Sequence, residues 1–483
     1  MKEEFKRIVD FKFNDNTLNR LVETLQEQLK GSAFEGHVFL KGNAIRNQLL
    51  KVPINPKDIE VVVDKPQGAI SFSTWLAWKQ SNYVRDNNPV LNTLKGEAVV
   101  KVQVKGIAEI KVNCVQTKME YSYDEESTPT VNYAEIQDSA KISGLTIDAL
   151  YYNISDGCLY DYTGYGFNDI ENNIIRVTDD KHVFKDDPRK ILYALRMASE
   201  LNFGIEKNTW ISILSNSNRL GDMSAVLVRE ELDKILLSPT PSQIIRKMFV
   251  ANCLDNSWPH LLEEMELVNQ PFTRSDSIYE HTLSVVDKVP AKLEVRIAAL
   301  FHDIGKLKSN DDHYVYHELV GSEMTETIMK LMGYSDNIID KVLTMIERHE
   351  DLDSLKPKEV PSTRFVRRFK RNVGDQYENV LALIDANNKS QSFGKRVNQV
   401  KNFKAAAERY AEKENKASKN RELNNTKSTL PIDGNDIKKE LGIKSGPIIG
   451  LLLDRVKHEY GKRPNITKEE CMMFCRAMTQ MMS

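Results

Sequence analysis

At 483 residues the chain is expected to form several domains, and its 41% hydrophobic and 28% charged content is ordinary for a soluble globular protein. A net charge of −2 supplies no global attraction to nucleic acid, so any RNA contact must come from local patches. The 5 scattered cysteines suit a reducing compartment, and no apolar run approaches the ~20 residues that cross a bilayer. With no signal-peptide core in Met1-Lys2-Glu3-Glu4-Phe5-Lys6, a cytoplasmic protein without a membrane partner is expected.

Residues 15–31 place Leu18, Leu21, Val22, Leu25 and Leu29 at helical spacing and stop at Gly31, which predicts an amphipathic helix. Short β-branched segments follow: His37 to Leu40, Ile59 to Val63, Ala98 to Val104 and Ala108 to Val115. They predict a small mixed sheet with a few helices as far as about Asn153. Between the first two, Leu40-Lys41-Gly42-Asn43-Ala44-Ile45-Arg46 reads as strand, tight turn and helix. A helix start with Gly42 in the turn and Arg46 close behind suits a triphosphate. In Lys57-Asp58-Ile59-Glu60, period-two alternation puts Asp58 and Glu60 on one face of a strand. Two such carboxylates repel unless cations lie between them. With Glu109 from a neighbouring strand they form a cage for Mg²⁺ ions that align an attacking hydroxyl with a nucleoside triphosphate.

From Pro188 the pattern turns almost wholly helical, with Ile191, Leu192, Leu195 and Ala198 on one apolar face that closes near Gly204. Helices continue to about residue 415. Within them His281, the pair His302-Asp303, His317, His349 and Asp385 each fall in a helical segment, so one bundle can aim several at a common centre. Neutral imidazoles and carboxylates suit a divalent transition metal such as Mn, Ni, Co or Fe, and the lack of nearby cysteines argues against a closed structural zinc site. Such a metal activates water against a phosphate ester. Arg364, Arg367, Arg368, Lys370 and Arg371, with Phe365 and Phe369 between them, form a basic cluster suited to RNA phosphates. Residues 413–430 are polar and read as a linker or a frayed helix end. A last helical unit follows from Leu430, in which Gly446-Pro447 opens an amphipathic helix (Leu451, Leu452, Val456) and Cys471 and Cys475 share a helix face.

The order of these pieces resembles the class II CCA-adding enzymes and their bacterial poly(A) polymerase relatives, here with an HD-superfamily phosphohydrolase domain. The resemblance covers nearly the whole chain. Gly42-Asn43-Ala44-Ile45-Arg46-Asn47 stands at the family's Gly-Gly-x-Val-Arg-Asp, and Asp58-Ile59-Glu60 at its Asp-x-Asp. Leu145-Thr146-Ile147-Asp148-Ala149-Leu150 matches the tail of Arg-Arg-Asp-Phe-Thr-Ile-Asn-Ala. Asp161, Gly164 and Asp169 look like its Asp-Pro-x-Gly-Gly stretch, and Phe184 to Arg196 is similar to its base-reading helix. Pro431 to Gly450 is similar to the family's C-terminal region.

What the resemblance implies is an α+β chain. A nucleotidyltransferase head would span 1–155, a helical neck 156–270, an HD domain 271–412, a linker 413–430 and a C-terminal helical region 431–483. It implies template-independent transfer from CTP and ATP to the 3′ end of tRNA or another RNA, with no DNA partner. Gly42, Asn43, Arg46, Asp148, Asp187, Lys190 and Arg196 would meet the nucleotide, with Mg²⁺ on Asp58 and Glu60. In the HD domain His281, His302, Asp303 and Asp385 would be the core ligands, and His317 and His349 would line the site or hold a second metal.

The chain departs from the family at functional positions. Asn43 and Asn47 replace a Gly and an Asp, and Ile142-Ser143-Gly144 stands where Arg-Arg-Asp is expected. Val226-Leu227 replaces a Glu-Arg pair, although Glu231 is kept. Lys190 replaces a base-reading Arg and lacks its planar fork. Three arrangements are open: an active head beside an HD hydrolase, a head kept as an RNA scaffold for that hydrolase, or a non-catalytic RNA-binding protein, against which the intact His/Asp set weighs.

Overall fold

The computed structural model describes residues 6–56, 59–80, 93–94, 97–98, 100–104, 106–114, 116–120, 130–133, 135–253, 277–308, 316–356, 359–391, 396, 398–426, 430–444, 446–463 and 465–482. Two compact units emerge: Met1–Ser354 with Val373–Val397, and Leu355–Asn372 with Asn398–Ser483. No described helix is long and apolar enough to cross a membrane.

The first unit opens with α1 (Asn16–Leu29), started by the Asp15 carboxylate accepting the Leu18 N–H at 2.9 Å. Its five expected apolar residues are all buried, and Gly31 turns the chain at φ 70°. Seven strands form one mixed sheet: β1 (Lys6–Ile8), β2 (Val38–Lys41), β3 (Ile59–Val63), β4 (Val100–Val104), β5 (Ala108–Cys114), β6 (Leu150–Asn153) and β7 (Leu159–Asp161). Their spatial order is β1-β7-β6-β2-β3-β5-β4, and β3 with β5 is the parallel pair. Helix α2 (Asn43–Leu49) leaves β2 through Gly42. Central β3 is apolar on both faces except at Glu60, as befits a strand covered on each side. The sheet runs to Asp161, beyond the boundary expected at 155, because the β6–β7 hairpin brings the chain back onto β1.

The neck is helical but not purely so. Strands β8 (Ile174–Ile175) and β9 (Gly204–Ile205) pair in parallel around α3 (Arg189–Leu201). Helix α3 closes at Asn202, which takes the left-handed conformation at φ 54°, rather than at Gly204, which lies in the strand. The HD region contributes α4 (Ile278–Lys288), α5 (Leu293–Phe301), α6 (His317–Leu331) and α7 (Asp336–Arg348).

In chain order α8 (Thr363–Val373) precedes α9 (Tyr377–Ser390) and α10 (Gln399–Thr426). The expected linker at 413–430 is largely the end of α10. No Gly or Pro falls between residues 395 and 430, and the Ala-, Glu- and Lys-rich text sustains the helix. The second unit ends in α11 (Gly434–Leu441), α12 (Pro447–Lys462) and α13 (Lys468–Met482). Their core joins Ile432, Ile437, Leu452 and Val456 to Cys471 and Cys475, so the two thiols are packing residues.

Candidate functional site

Two side-chain constellations stand out, one in the HD region and one on the head sheet. In the HD region the helix ends set the chemistry. His302 follows the last residue of α5 and His349 the last of α7, so each ring turns back and its Nδ1–H donates to a carbonyl three residues earlier. The bonds go to Ala299 at 2.8 Å and to Ile346 at 2.6 Å. With Nδ1 protonated, each imidazole presents a bare Nε2 to the interior. His302 Nε2 is buried 3.3 Å from Asp303 Oδ2 without a hydrogen-bond partner.

His317 arrives on the first turn of α6 because Gly305 has no side chain. A Cβ there would stand 2.0 Å from the His317 carbonyl oxygen and 2.6 Å from the Gly321 nitrogen. His317 Nε2 then lies 3.4 Å from Asp303 Oδ1 and 3.4 Å from His349 Nε2. His281 on α4 comes within 3.7 Å of Asp303 Oδ2, and His349 within 3.7 Å of Asp303 Oδ1. One carboxylate oxygen therefore faces His281 and His302, the other His317 and His349. All five residues are at most 4% exposed.

Charge reinforces this arrangement. Burial alone would push the Asp303 carboxyl up, but the polar neighbours His302 and Lys306 outweigh it and hold Asp303 well below the usual carboxylate range. Lys306 Nζ sits 2.7 Å from its Oδ2. Burial lowers His281 to about 4, so that ring is neutral at physiological pH. Buried imidazole nitrogens around one carboxylate, with a His302 lone pair unmatched, are a donor set suited to a divalent metal ion. His281, His302 and Asp303 form one donor group; Asp303, His317 and His349 form a second; His317, Glu318 and Glu350 form a third at the half-buried rim.

One expected ligand falls outside. Asp385 on α9 points to Lys389, 2.6 Å away, and belongs to none of these groups. Asn387, two residues on, is buried and meets His281 Nε2 at 3.0 Å. Residues two apart on a helix differ by about 200° in direction, so only one of them can face the centre. Asn387, Lys306, Glu318 and Glu350 are the site residues that sequence reading missed. The local signal for Glu318 and Glu350 is adjacency to His317 and His349, and for Lys306 its place three residues after Asp303.

On the head sheet the register sets a row of charges. Glu60 on β3 lies opposite Lys41 on β2 and opposite Lys111 on β5, and Lys41 lies opposite Tyr151 on β6. Glu109, two residues before Lys111, shares that face and pairs with Gln103. Asp58 lies outside the described residues. Gly42 turns at φ 73°, and a Cβ there would come within 3.4 Å of Glu60 Oε2, so the bare turn sits against the carboxylate. Asn43 begins α2 with its side chain half-buried.

Several expected nucleotide contacts are turned elsewhere. Arg46 is buried, with Nη1 2.7 Å from Asp148 Oδ1 and with Nε and Nη2 each 3.2 Å from Asn47 Oδ1. The Tyr193 hydroxyl donates to the other Asp148 oxygen at 2.6 Å. Arg46 and Asp148 are thus a buried brace between α2, the turn before β6 and α3, not open phosphate ligands. Arg196 bonds Glu231 at 2.5 Å and Glu200 at 2.9 Å, a pairing internal to the neck that explains the retained Glu231. Both Asp187 oxygens accept from the Arg189 guanidinium at 2.8 Å. Lys190 crosses the altered Ile142-Ser143-Gly144 turn, and its Nζ donates to the Ile142 carbonyl at 2.9 Å.

In the second unit, Arg364, Arg367, Arg368, Lys370 and Arg371 all project from the exposed face of α8, while Val366 and Phe369 are buried. With Ser362, Thr363 and Phe365, the four arginines line a surface hollow of about 780 Å³. The Arg368 guanidinium stacks over Phe365 at 5.3 Å, and Arg367 pairs with Glu414.

The poly(A) polymerase head domain matches residues 38–176, the probable RNA and SrmB-binding site of polymerase A matches 202–265, and the HD domain matches 278–391. The chain belongs to the class II CCA-adding and poly(A) polymerase family of nucleotidyltransferases. Within this family it is similar to the mitochondrial CCA tRNA nucleotidyltransferase of Saccharomyces cerevisiae, 23% identical over 91% of this chain and 87% of that one. It is also similar to the CC-adding tRNA nucleotidyltransferase of Thermus thermophilus, 25% identical over 63% of this chain and 70% of that one. The CCA-adding enzyme of Bacillus stearothermophilus, solved with CTP, shares the fold at a TM-score of 0.57 and 17% identity, over 97% of this chain and 98% of that one. The Thermotoga maritima CCA-adding enzyme, solved with tRNA, does so at 0.54 and 18%, over 96% of each. A nucleotidyltransferase head and an HD domain both imply dependence on divalent metal.

Proposed function

We propose that this family member adds nucleotides, without a template, from CTP and ATP to the 3′ end of tRNA, and that its HD centre hydrolyses phosphate esters at RNA ends. The transferase half rests on one observation above all. Within the head fold, Glu60 presents its carboxylate against the bare Gly42 turn, beside Glu109 on the same face. Asp58, Glu60 and Glu109 would hold Mg²⁺, which supplies charge neutralisation to a triphosphate. The buried Arg46–Asp148 brace keeps the turn fixed while it does so.

In the HD centre, His281, His302, Asp303, His317 and His349 would hold a divalent transition metal such as Mn, Ni, Co or Fe, which supplies an activated water. The Ala299 and Ile346 carbonyls keep the His302 and His349 tautomers fixed, and Lys306 keeps Asp303 ionised and oriented. A 2′,3′-cyclic phosphate or a 3′-phosphate is the fitting ester. The arginine face of α8 would hold RNA phosphates. Reading of the incoming base by Asp187 and Lys190 would require both to leave their present partners, so discrimination between CTP and ATP should be weak. The cytoplasm is the expected compartment.

The test is incorporation of labelled CTP and ATP into tRNA ending before its CCA, with wild type and Asp58→Ala in parallel. Incorporation that vanishes in the variant supports the transferase. Background labelling by both would favour the second reading, a scaffold head serving the hydrolase. That reading draws on the absent Arg-Arg-Asp triplet and on the inward turn of Arg46.

A further inference from the structure

Lys41 is the last residue of β2, directly before the Gly42 turn. Residues opposite one another in a sheet project to the same face, so the Lys41 ammonium, the Glu60 carboxylate and the Tyr151 ring share one rung. Lys41 Nζ stands 5.7 Å over the Tyr151 ring. Among the described residues neither Lys41 nor Glu60 closes an ion pair, with each other or with a third group. A half-buried carboxylate and a half-buried ammonium on one rung, each without an ion-pair partner, are arranged for something that binds both.

We propose that Lys41 is a phosphate-binding residue of the head, receiving the phosphates of the nucleotide whose metal Glu60 would hold. The proposal rests on the transferase reading. It assigns a cation to a site where Arg46 is committed to Asp148 and Asn47 and where Ile142-Ser143-Gly144 offers none. A lysine suits this task as a compact point charge on a flexible stem, reaching a phosphate oxygen without a set angle. The competing role is purely structural, with Lys41 packing on Tyr151 and balancing Glu60.

Magnesium pyrophosphate is the probe, because it presents the phosphates without a base. Its binding to the full-length protein is measured by calorimetry for wild type, Lys41→Met, Lys41→Arg and Glu60→Gln, alongside the KM for ATP. Lys41→Met should weaken pyrophosphate roughly 10–100-fold and raise KM more than it lowers kcat, while Lys41→Arg should stay within about threefold of wild type. Lys41→Gln gives the same reading if the Met variant does not fold. Wild-type affinity in both neutral variants, with weakened binding in Glu60→Gln, overturns the lysine's role and leaves the transferase reading standing. No binding by wild type removes both.

Discussion

The head and the HD centre dispose of charge in different ways. In the head and the neck, the arginines nearest the expected nucleotide are spent on partners of their own: Arg46 on Asp148 and Asn47, Arg196 on Glu231 and Glu200. Among the described residues Glu60 and Lys41 stay out of ion pairs. In the HD centre the reverse holds, with four imidazoles packed around one carboxylate and two of their lone pairs aimed by backbone carbonyls. The lesson is that presence of a motif residue and availability of its charge are separate properties. The head keeps its frame with these arginines paired, whereas the HD centre keeps imidazole nitrogens already aimed.

The HD side of this contrast breaks most severely at Gly305. Because a Cβ would meet a carbonyl oxygen at 2.0 Å, Gly305→Ala should displace α6, remove His317 from the centre and lower stability by about 3 kcal/mol. Thermal melting and elemental analysis check both effects, and a variant that keeps its metal and melting temperature would refute the packing argument. On the head side, Arg46→Met leaves Asp148 buried without its counter-charge and should cost about 3–5 kcal/mol, much of it recovered in the Arg46→Met/Asp148→Leu double variant. Unfolding by denaturant measures this. Unchanged stability with a raised KM would instead make Arg46 a phosphate ligand.

A smaller effect sharpens the HD assignment. Asn387→Ala should loosen His281 and weaken metal binding about tenfold, whereas Asp385→Ala should leave it unchanged. Metal titration decides which residue on α9 serves the centre. The smallest effect concerns Cys253, whose thiol burial pushes up to about 12. A group raised in the folded state stabilises fully below its unfolded value near 9 and loses that contribution as pH rises toward 12. Thiol reagents at pH 8 should therefore label Cys253 only after unfolding.

Much of the fold was legible in the sequence because local pattern determines it. The Leu18-to-Leu29 stripe, the β3 run and the thiol face of α13 are all period arguments, and each appears with its apolar side buried. The four histidines with Asp303 were legible as a set, though not the shared carboxylate at their middle. Two kinds of feature were not legible. Arg46 and Asp148 are 102 positions apart, and no periodicity shows that a distant carboxylate will claim a guanidinium. The choice between Asp385 and Asn387 depends on how α9 is rotated against α4, which is decided by packing across the bundle. The polar stretch at 413–426 misled because polarity resembles a linker, although the absence of Gly and Pro favours helix.

One chain carrying two separable sites should respond separately to a change in each, and a crossed comparison tests this directly. Wild type, Glu60→Gln and His302→Ala are each assayed for nucleotide addition to tRNA and for bound transition metal. Glu60→Gln should lose addition and keep its metal, and His302→Ala should lose its metal and keep addition. Loss of addition in His302→Ala, or addition undiminished in Glu60→Gln, would contradict the account.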